Sequence, residues 1–127
     1  MPFAVLLVDD NAVQAATRRA ILSRAGNEVT VASSAASALL AMERNDFLAS
    51  LGLVVTDHLM PGMNGPEFVR GLREFAPKLP VLVISGLGEA ELEYEGLDVL
   101  FRVKPFPPEQ LISLVRSILD GPISLTA

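Results

Sequence analysis

The chain contains no cysteine, which removes disulfides, thiolate–metal centres and cysteine nucleophiles together. Positive charge is also scarce. Ten Lys and Arg face 15 Asp and Glu, for a formal net charge of −5, so no direct nucleic-acid binding is expected. No apolar run approaches the ~20 residues that a membrane helix needs. The short apolar run near the N-terminus has no basic residue before it and meets two acids at once, unlike a signal peptide. Internal repeats and low-complexity tracts are absent as well, and there is a single histidine, His58.

Half of the 127 residues are hydrophobic and 20% are charged, a composition suited to a compact globule and not to disorder. The length is that of one domain able to bury a core. The expectation is one domain over 1–127, with its core at about 3–120 and a C-terminal tail at 121–127 that carries no readable signal. A cytoplasmic location is the default for such a chain.

Short apolar runs alternate with helical patterns. "FAVLLV" (3–8), "EVTVA" (28–32), "LVVT" (53–56), "VLVIS" (81–85) and "VLFRV" (99–103) read as strands. Three of them are almost unbroken apolar runs, as strands buried on both faces require. Between the first two, Val13, Ala16, Ala20 and Ile21 share one helical face, and Gly26 ends that segment. Ser34 suits the N-cap of a second helix burying Ala36, Leu39 and Leu40. Pro66 suits the first turn of a third, with Phe68, Val69, Leu72 and Ala76 inward. Pro107 or Pro108 opens the last helix, whose Leu111, Leu114, Val115, Ile118 and Leu119 follow helical spacing, and Gly121 is expected to stop it. In "EAELEYE" (89–95) the alternation favours a strand while glutamate favours a helix. It is read as a short, loosely packed helix. Five β-α units make an α/β fold, a parallel sheet with helices on both faces.

Asp9 and Asp10 stand side by side at the end of the first apolar run. Two such carboxylates repel by ~4 kcal/mol at about 4 Å in an effective dielectric near 20, so solvent or a cation must offset them. In an open parallel sheet, ligands bind beyond the carboxyl ends of the strands. Asp9 and Asp10 end the first strand, Asp57 the third and Ser85 the fourth, while Lys104 follows the fifth. Three carboxylates at one edge suit Mg²⁺. Lys104 adds a charge for phosphate oxygens and Ser85 a hydroxyl donor. An aspartate beside a metal and a lysine is a reasonable nucleophile toward phosphorus. Each residue alone also has a plainer reading: a cap or turn for the acids, a solvated lysine, a hydrogen-bonded serine. Their joint placement after four strands favours the site.

"LLVDD", "VVTDHLMPGMNG", "VLVISG" and "VKPF" together resemble the response-regulator receiver domains of two-component signalling, over roughly residues 3 to 120. The resemblance implies a flavodoxin-like, doubly wound (βα)5 fold with strand order 2-1-3-4-5. It also implies that Asp57 is the phosphoacceptor, served by a histidine kinase or a histidine phosphotransfer protein. Asp10, Asp57 and the backbone carbonyl of Leu59 would ligate Mg²⁺, with Asp9 acting through water. Ser85 would be the switch hydroxyl and Phe101 the aromatic that follows it, on the face formed by the fourth helix, fifth strand and fifth helix. Lys104, before a cis Pro105, would pair with phosphate. Such a domain catalyses only its own phosphorylation and dephosphorylation. Its output would come from another protein or a fused domain.

Two departures from the family pattern stand out. Ser85 and Lys104 are 19 positions apart, a few fewer than usual, with the shortening in the acidic segment at 86–98. The "SG" and short connection resemble receivers attached to hybrid histidine kinases. Leu59 and Leu87 also stand two residues after Asp57 and Ser85, where polar residues often tune acyl-phosphate hydrolysis. One alternative is a Mg²⁺-dependent phosphohydrolase with an aspartyl-phosphate intermediate, but Leu59 stands where its second acid would be. The other is a receiver-like interaction module that works without phosphorylation. A single histidine, His58, reads as a loop side chain at the mouth of the site, and Met60 and Met63 as loop packing.

Overall fold

The computed structural model describes residues 3–126, with side chains described for 3–120. Residues 1, 2 and 127 of the expected domain lie outside that range. In chain order the elements are β1 (Ala4–Val8), α1 (Ala12–Arg24), β2 (Val29–Ala32), α2 (Ala35–Met42), α3 (Asn45–Ser50), β3 (Leu51–Asp57), α4 (Gly65–Phe75), β4 (Val81–Ser85), a 3₁₀ helix (Gly88–Tyr94), β5 (Leu100–Val103) and α5 (Pro108–Thr126). The strands form one parallel sheet in the order β2-β1-β3-β4-β5. The three almost unbroken apolar runs are the three central strands. β1 and β4 are buried at every residue, while the edge strands β2 and β5 are partly exposed.

Strand alternation splits the core in two. Leu6, Val8, Val54 and Val83 face α2, α4 and the 3₁₀ helix, packing with Met42, Phe68, Leu72, Tyr94 and Phe101. Val5, Leu7, Val55 and Ile84 face α1 and α5, packing with Ala15, Leu22, Leu111 and Val115. α4 follows the sequence reading closely: Asn64 and Glu67 form a capping box, Pro66 lies in the first turn, and Phe68, Val69 and Leu72 are fully buried.

Two helices turn a different face inward. In α1 the buried residues are Ala15 and Leu22, with Arg18 half-buried between them, whereas Val13, Ala16 and Ala20 are exposed. The two stripes have the same spacing but start two residues apart, about 200° around the axis. The stripe that wins puts Arg18, with Gln14 on its flank, next to the acids, while Leu22 fills the core. In α2, Ala35, Ala38 and Met42 are buried, Leu39 is half-buried, and Ala36 and Leu40 are exposed. Both segments are alanine-rich, so apolar contrast around the helix is weak and the sheet chooses the face. Ser34 does cap α2, its side chain accepting from the Ser37 N–H.

Other bounds also shift. A short helix, α3, precedes β3 where the sequence reading had none, and β3 starts at Leu51. Gly121 does not stop the last helix, whose backbone continues as α5 to Thr126; a lone glycine permits a helix end without imposing one. The segment at 89–95 is helical, but of 3₁₀ type and firmly seated, since Ala90 and Tyr94 are buried.

Candidate functional site

Parallel pairing brings the strand ends to one edge. Val8 lies beside Thr56, Asp57 beside Ile84, and Ser85 beside Val103. Asp9 and Asp57 therefore sit level on adjacent strands, while Ser85 stands one residue and Lys104 two residues further toward the same edge. The Asp9 N–H donates to Ala32 and the Lys104 N–H to Ser85, extending the ladders one residue into the site. The Lys104–Pro105 peptide is cis, as the family resemblance implied.

Asp9 and Asp57 are buried, at 2% and 6% exposure, and each carboxylate is compensated. Lys104 Nζ stands 2.7 Å from Asp57 Oδ2, and Arg18 lies 3.4 Å from Asp9 Oδ2. Asp9 Oδ1 accepts from the Asn11 N–H at 2.9 Å, and Asp57 Oδ1 from the Leu59 N–H at 3.4 Å. Between the acids lies Gln14, whose Nε2 donates to Asp9 Oδ2 at 2.6 Å and to Asp57 Oδ2 at 2.8 Å. Asp10 is exposed and shares none of these bonds. The adjacent acids thus differ in fate: one is buried among donors and the other is left in water.

The side-chain oxygens of Asp9, Asp10 and Asp57 and the Leu59 carbonyl are hard donors, which fits Mg²⁺. Among the described residues, however, no three His, Cys, Asp or Glu side chains are gathered into a metal-ligand group. The expected three-carboxylate cluster is two carboxylates bridged by an amide plus one in solvent. Mutual repulsion separates like charges unless donors stand between them.

Ser85 is fully buried, and its hydroxyl accepts from the Leu87 N–H at 2.9 Å and donates to the Leu87 carbonyl at 3.3 Å. Phe101 is buried, with its ring 5.9 Å from that of Tyr94. Leu59 and Leu87 are exposed beside the site, at 63% and 45%. Met60 is buried and Met63 packs against the core, as loop packing requires.

His58 corrects the sequence reading. It is buried at 4% exposure instead of standing at the mouth of the site. Its Nδ1 lies 2.6 Å from the Tyr94 hydroxyl, and its Nε2 lies 3.8 Å from Glu93. The partner comes from the 3₁₀ helix, so nothing near His58 in the chain marked it for burial. Burial, with the nearby Glu93 and Asp57 carboxylates as lesser causes, pushes the Tyr94 phenol well above its ordinary value. Gln14 and Arg18 were also missed. Their signal was available, as two polar residues four apart on the first helix, directly after the acids. Beside them lies a groove of about 560 Å³, lined by Gln14, Arg18, Ile21, Lys104, Phe106 and Leu111 among others.

A five-stranded 2-1-3-4-5 sheet with acids and a lysine at the carboxyl edge defines the receiver class. Residues 5–116 match the response regulator receiver domain family, and the chain belongs to that family. It is 33% identical over 124 residues to the response regulator MprA of Mycolicibacterium vanbaalenii, covering 94% of this chain and 51% of that protein. It is 29% identical to the transcriptional regulatory protein FixJ of Bradyrhizobium diazoefficiens, covering 91% and 56%. The chain thus spans about half the length of these relatives. Among solved structures, the Vibrio cholerae chemotaxis protein CheY4 superposes with a TM-score of 0.82 at 28% identity, covering 94% of this chain and all of that one. The Borrelia burgdorferi CheX–CheY–BeF3–Mg²⁺ complex contains a chain matching at 0.83 and 25% identity, covering 93% and 90%. No described helix is long and apolar enough to cross a membrane.

Proposed function

We propose that Asp57 accepts a phosphoryl group from the phosphohistidine of a histidine kinase or histidine phosphotransfer protein. A carboxylate oxygen of Asp57 bonds to phosphorus, the phosphorus–nitrogen bond breaks, and its electron pair stays on the donor imidazole. The observation that carries this reading is the Asp57–Lys104 pair at 2.7 Å, joining the ends of β3 and β5 at the edge where ligands bind. Lys104 offsets charge on the transferring phosphoryl oxygens. Asp10, Asp57 and the Leu59 carbonyl would hold Mg²⁺ directly, with Asp9 acting through water. When bound, that ion neutralises the acids and the phosphoryl oxygens.

Ser85 then turns from Leu87 toward the added group, and the rotamer of Phe101 follows the hydroxyl. One added charged group biases a two-state element. The Mg²⁺-bearing CheY complex among the structural relatives supports the cation. The net charge of −5 supports a unit that does not itself bind nucleic acid, and the location would be cytoplasmic. The chain forms one such unit, with its core at about 3–120. An exposed Leu59 in place of a second acid disfavours a phosphohydrolase.

Incubation with a small acyl phosphate and Mg²⁺ should add one phosphoryl group to the intact mass, and Asp57→Ala should abolish the addition. A label found on Ser85 or His58, or no label at all, overturns the proposal.

A further inference from the structure

Gln14 bridges the two buried acids of the site. One nitrogen reaches both carboxylates, at 2.6 and 2.8 Å, and its two protons serve two different strands. Lys104 meets the same Asp57 oxygen at 2.7 Å, so that oxygen has two donors before any ion arrives. Among the described residues no three acids are drawn together into one group, and an amide bridges the two that are buried. Gln14 also borders the 560 Å³ groove with Ile21, Phe106 and Leu111, an open space beside the acids into which a flexible side chain can turn.

We propose that Gln14 is a positioning residue that gates the divalent-cation site: its carboxamide clamps Asp9 to Asp57 and must rotate into the adjacent groove before both can serve an ion. The inference rests on the assignment of Mg²⁺ to these acids. Charge-assisted hydrogen bonds are the strong ones, and binding must break two of them here. The clamp therefore lowers the apparent Mg²⁺ affinity, because only the fraction of molecules with the amide withdrawn is competent. It also holds the acceptor carboxylate in one orientation while no ion is bound. Neutral Gln14 offsets the repulsion of two buried acids without adding charge, a task a leucine at this position cannot perform.

The test is titration of the purified chain with MgCl₂, followed by backbone amide shifts, for wild type, Gln14→Leu, Gln14→Asn and Asp57→Asn. Gln14→Leu should bind Mg²⁺ about tenfold more tightly. Gln14→Asn, whose amide is one carbon short of spanning both acids, should behave similarly. The Gln14 side-chain amide signal, assigned by its loss in Gln14→Leu, should be slow to exchange before Mg²⁺ and move to the free-amide position at saturation. A purely structural glutamine would leave that signal in place. Unchanged or weaker Mg²⁺ binding in both Gln14 variants, with binding still lost in Asp57→Asn, overturns the gate while the metal site stands. An amide signal that stays put at saturation does the same. If wild type and both Gln14 variants fail to bind Mg²⁺, or Asp57→Asn binds like wild type, the assignment of the metal to these acids falls, and the gate with it.

Discussion

The hydroxyl of Tyr94 lies 2.6 Å from Nδ1 of His58, 36 residues earlier in the chain, and the two rings meet edge-on with centroids 5.6 Å apart. His58 follows Asp57 directly, and Tyr94 also packs against Phe101. The pair thus pins the 3₁₀ helix to the loop that carries the site. Removing the hydroxyl in Tyr94→Phe leaves the buried imidazole nitrogen without its partner, a loss of about 1–3 kcal/mol. Urea unfolding should show a lower midpoint with an unchanged slope; an unchanged midpoint would mean the bond contributes nothing.

The same phenol sets an alkaline limit. Its proton is held more tightly in the folded chain than in the unfolded one, so the folded pKa lies above the ordinary 10.0. Below about pH 10 the phenol is protonated in both states and its contribution is fully present. Above that, the unfolded chain releases the proton first, and stability falls as pH rises toward the raised value. Wild type should therefore lose stability between about pH 10 and pH 11 more steeply than Tyr94→Phe. The difference between the two unfolding curves isolates this phenol from the lysines, and parallel curves would contradict the assignment.

Gly65, the first residue of α4, is needed for a close approach rather than for its backbone freedom. A Cβ there would overlap the Tyr94 hydroxyl and crowd Nδ1 of His58. Gly65→Ala should destabilise by roughly 1–3 kcal/mol through overpacking. Combined with Tyr94→Phe, which frees that space, it should cost less than the sum of the two changes. Strict additivity in a double-mutant cycle would show that the contact carries no coupling.

Lys104→Ala removes the cation on Asp57 Oδ2 and leaves Gln14 as the remaining donor to that oxygen. The variant should still take up phosphate from an acyl phosphate but lose the coupled change at Ser85, Tyr94 and Phe101. Amide shifts in β4, the 3₁₀ helix and β5, recorded before and after phosphorylation, read this directly. A full wild-type shift pattern in the variant would remove Lys104 from the switch.

Leu59 and Leu87 flank the site, and neither side chain can orient a water on phosphorus. Phospho-Asp57 should therefore be long-lived for this family. Leu59→Asn supplies an amide at that position and should speed decay about tenfold, the scale of one positioning contact. The measurement is loss of the phosphorylated mass with time in Mg²⁺. Fast decay in wild type, or no acceleration in Leu59→Asn, would assign the lifetime to other residues.

The sequence alone determined the sheet and the edge where the site lies. Buried parallel strands are mostly apolar on both faces, so charged and polar residues that close such runs mark their ends, and Asp9, Asp57, Ser85 and Lys104 were legible together. It also determined α4, where Phe68, Val69 and Leu72 stand out against a polar remainder. The tertiary structure decided which face α1 and α2 turn inward, because alanine stripes differ too little in apolar area to choose for themselves. It decided that His58 is buried, since its partner Tyr94 is distant in sequence and fixed by a short helix whose pattern was ambiguous. It also decided that Asp9 and Asp57 are bridged by Gln14 while Asp10 remains in water. Two buried like charges take whichever donors the packed helix brings within reach, and reach is a property of the assembled fold.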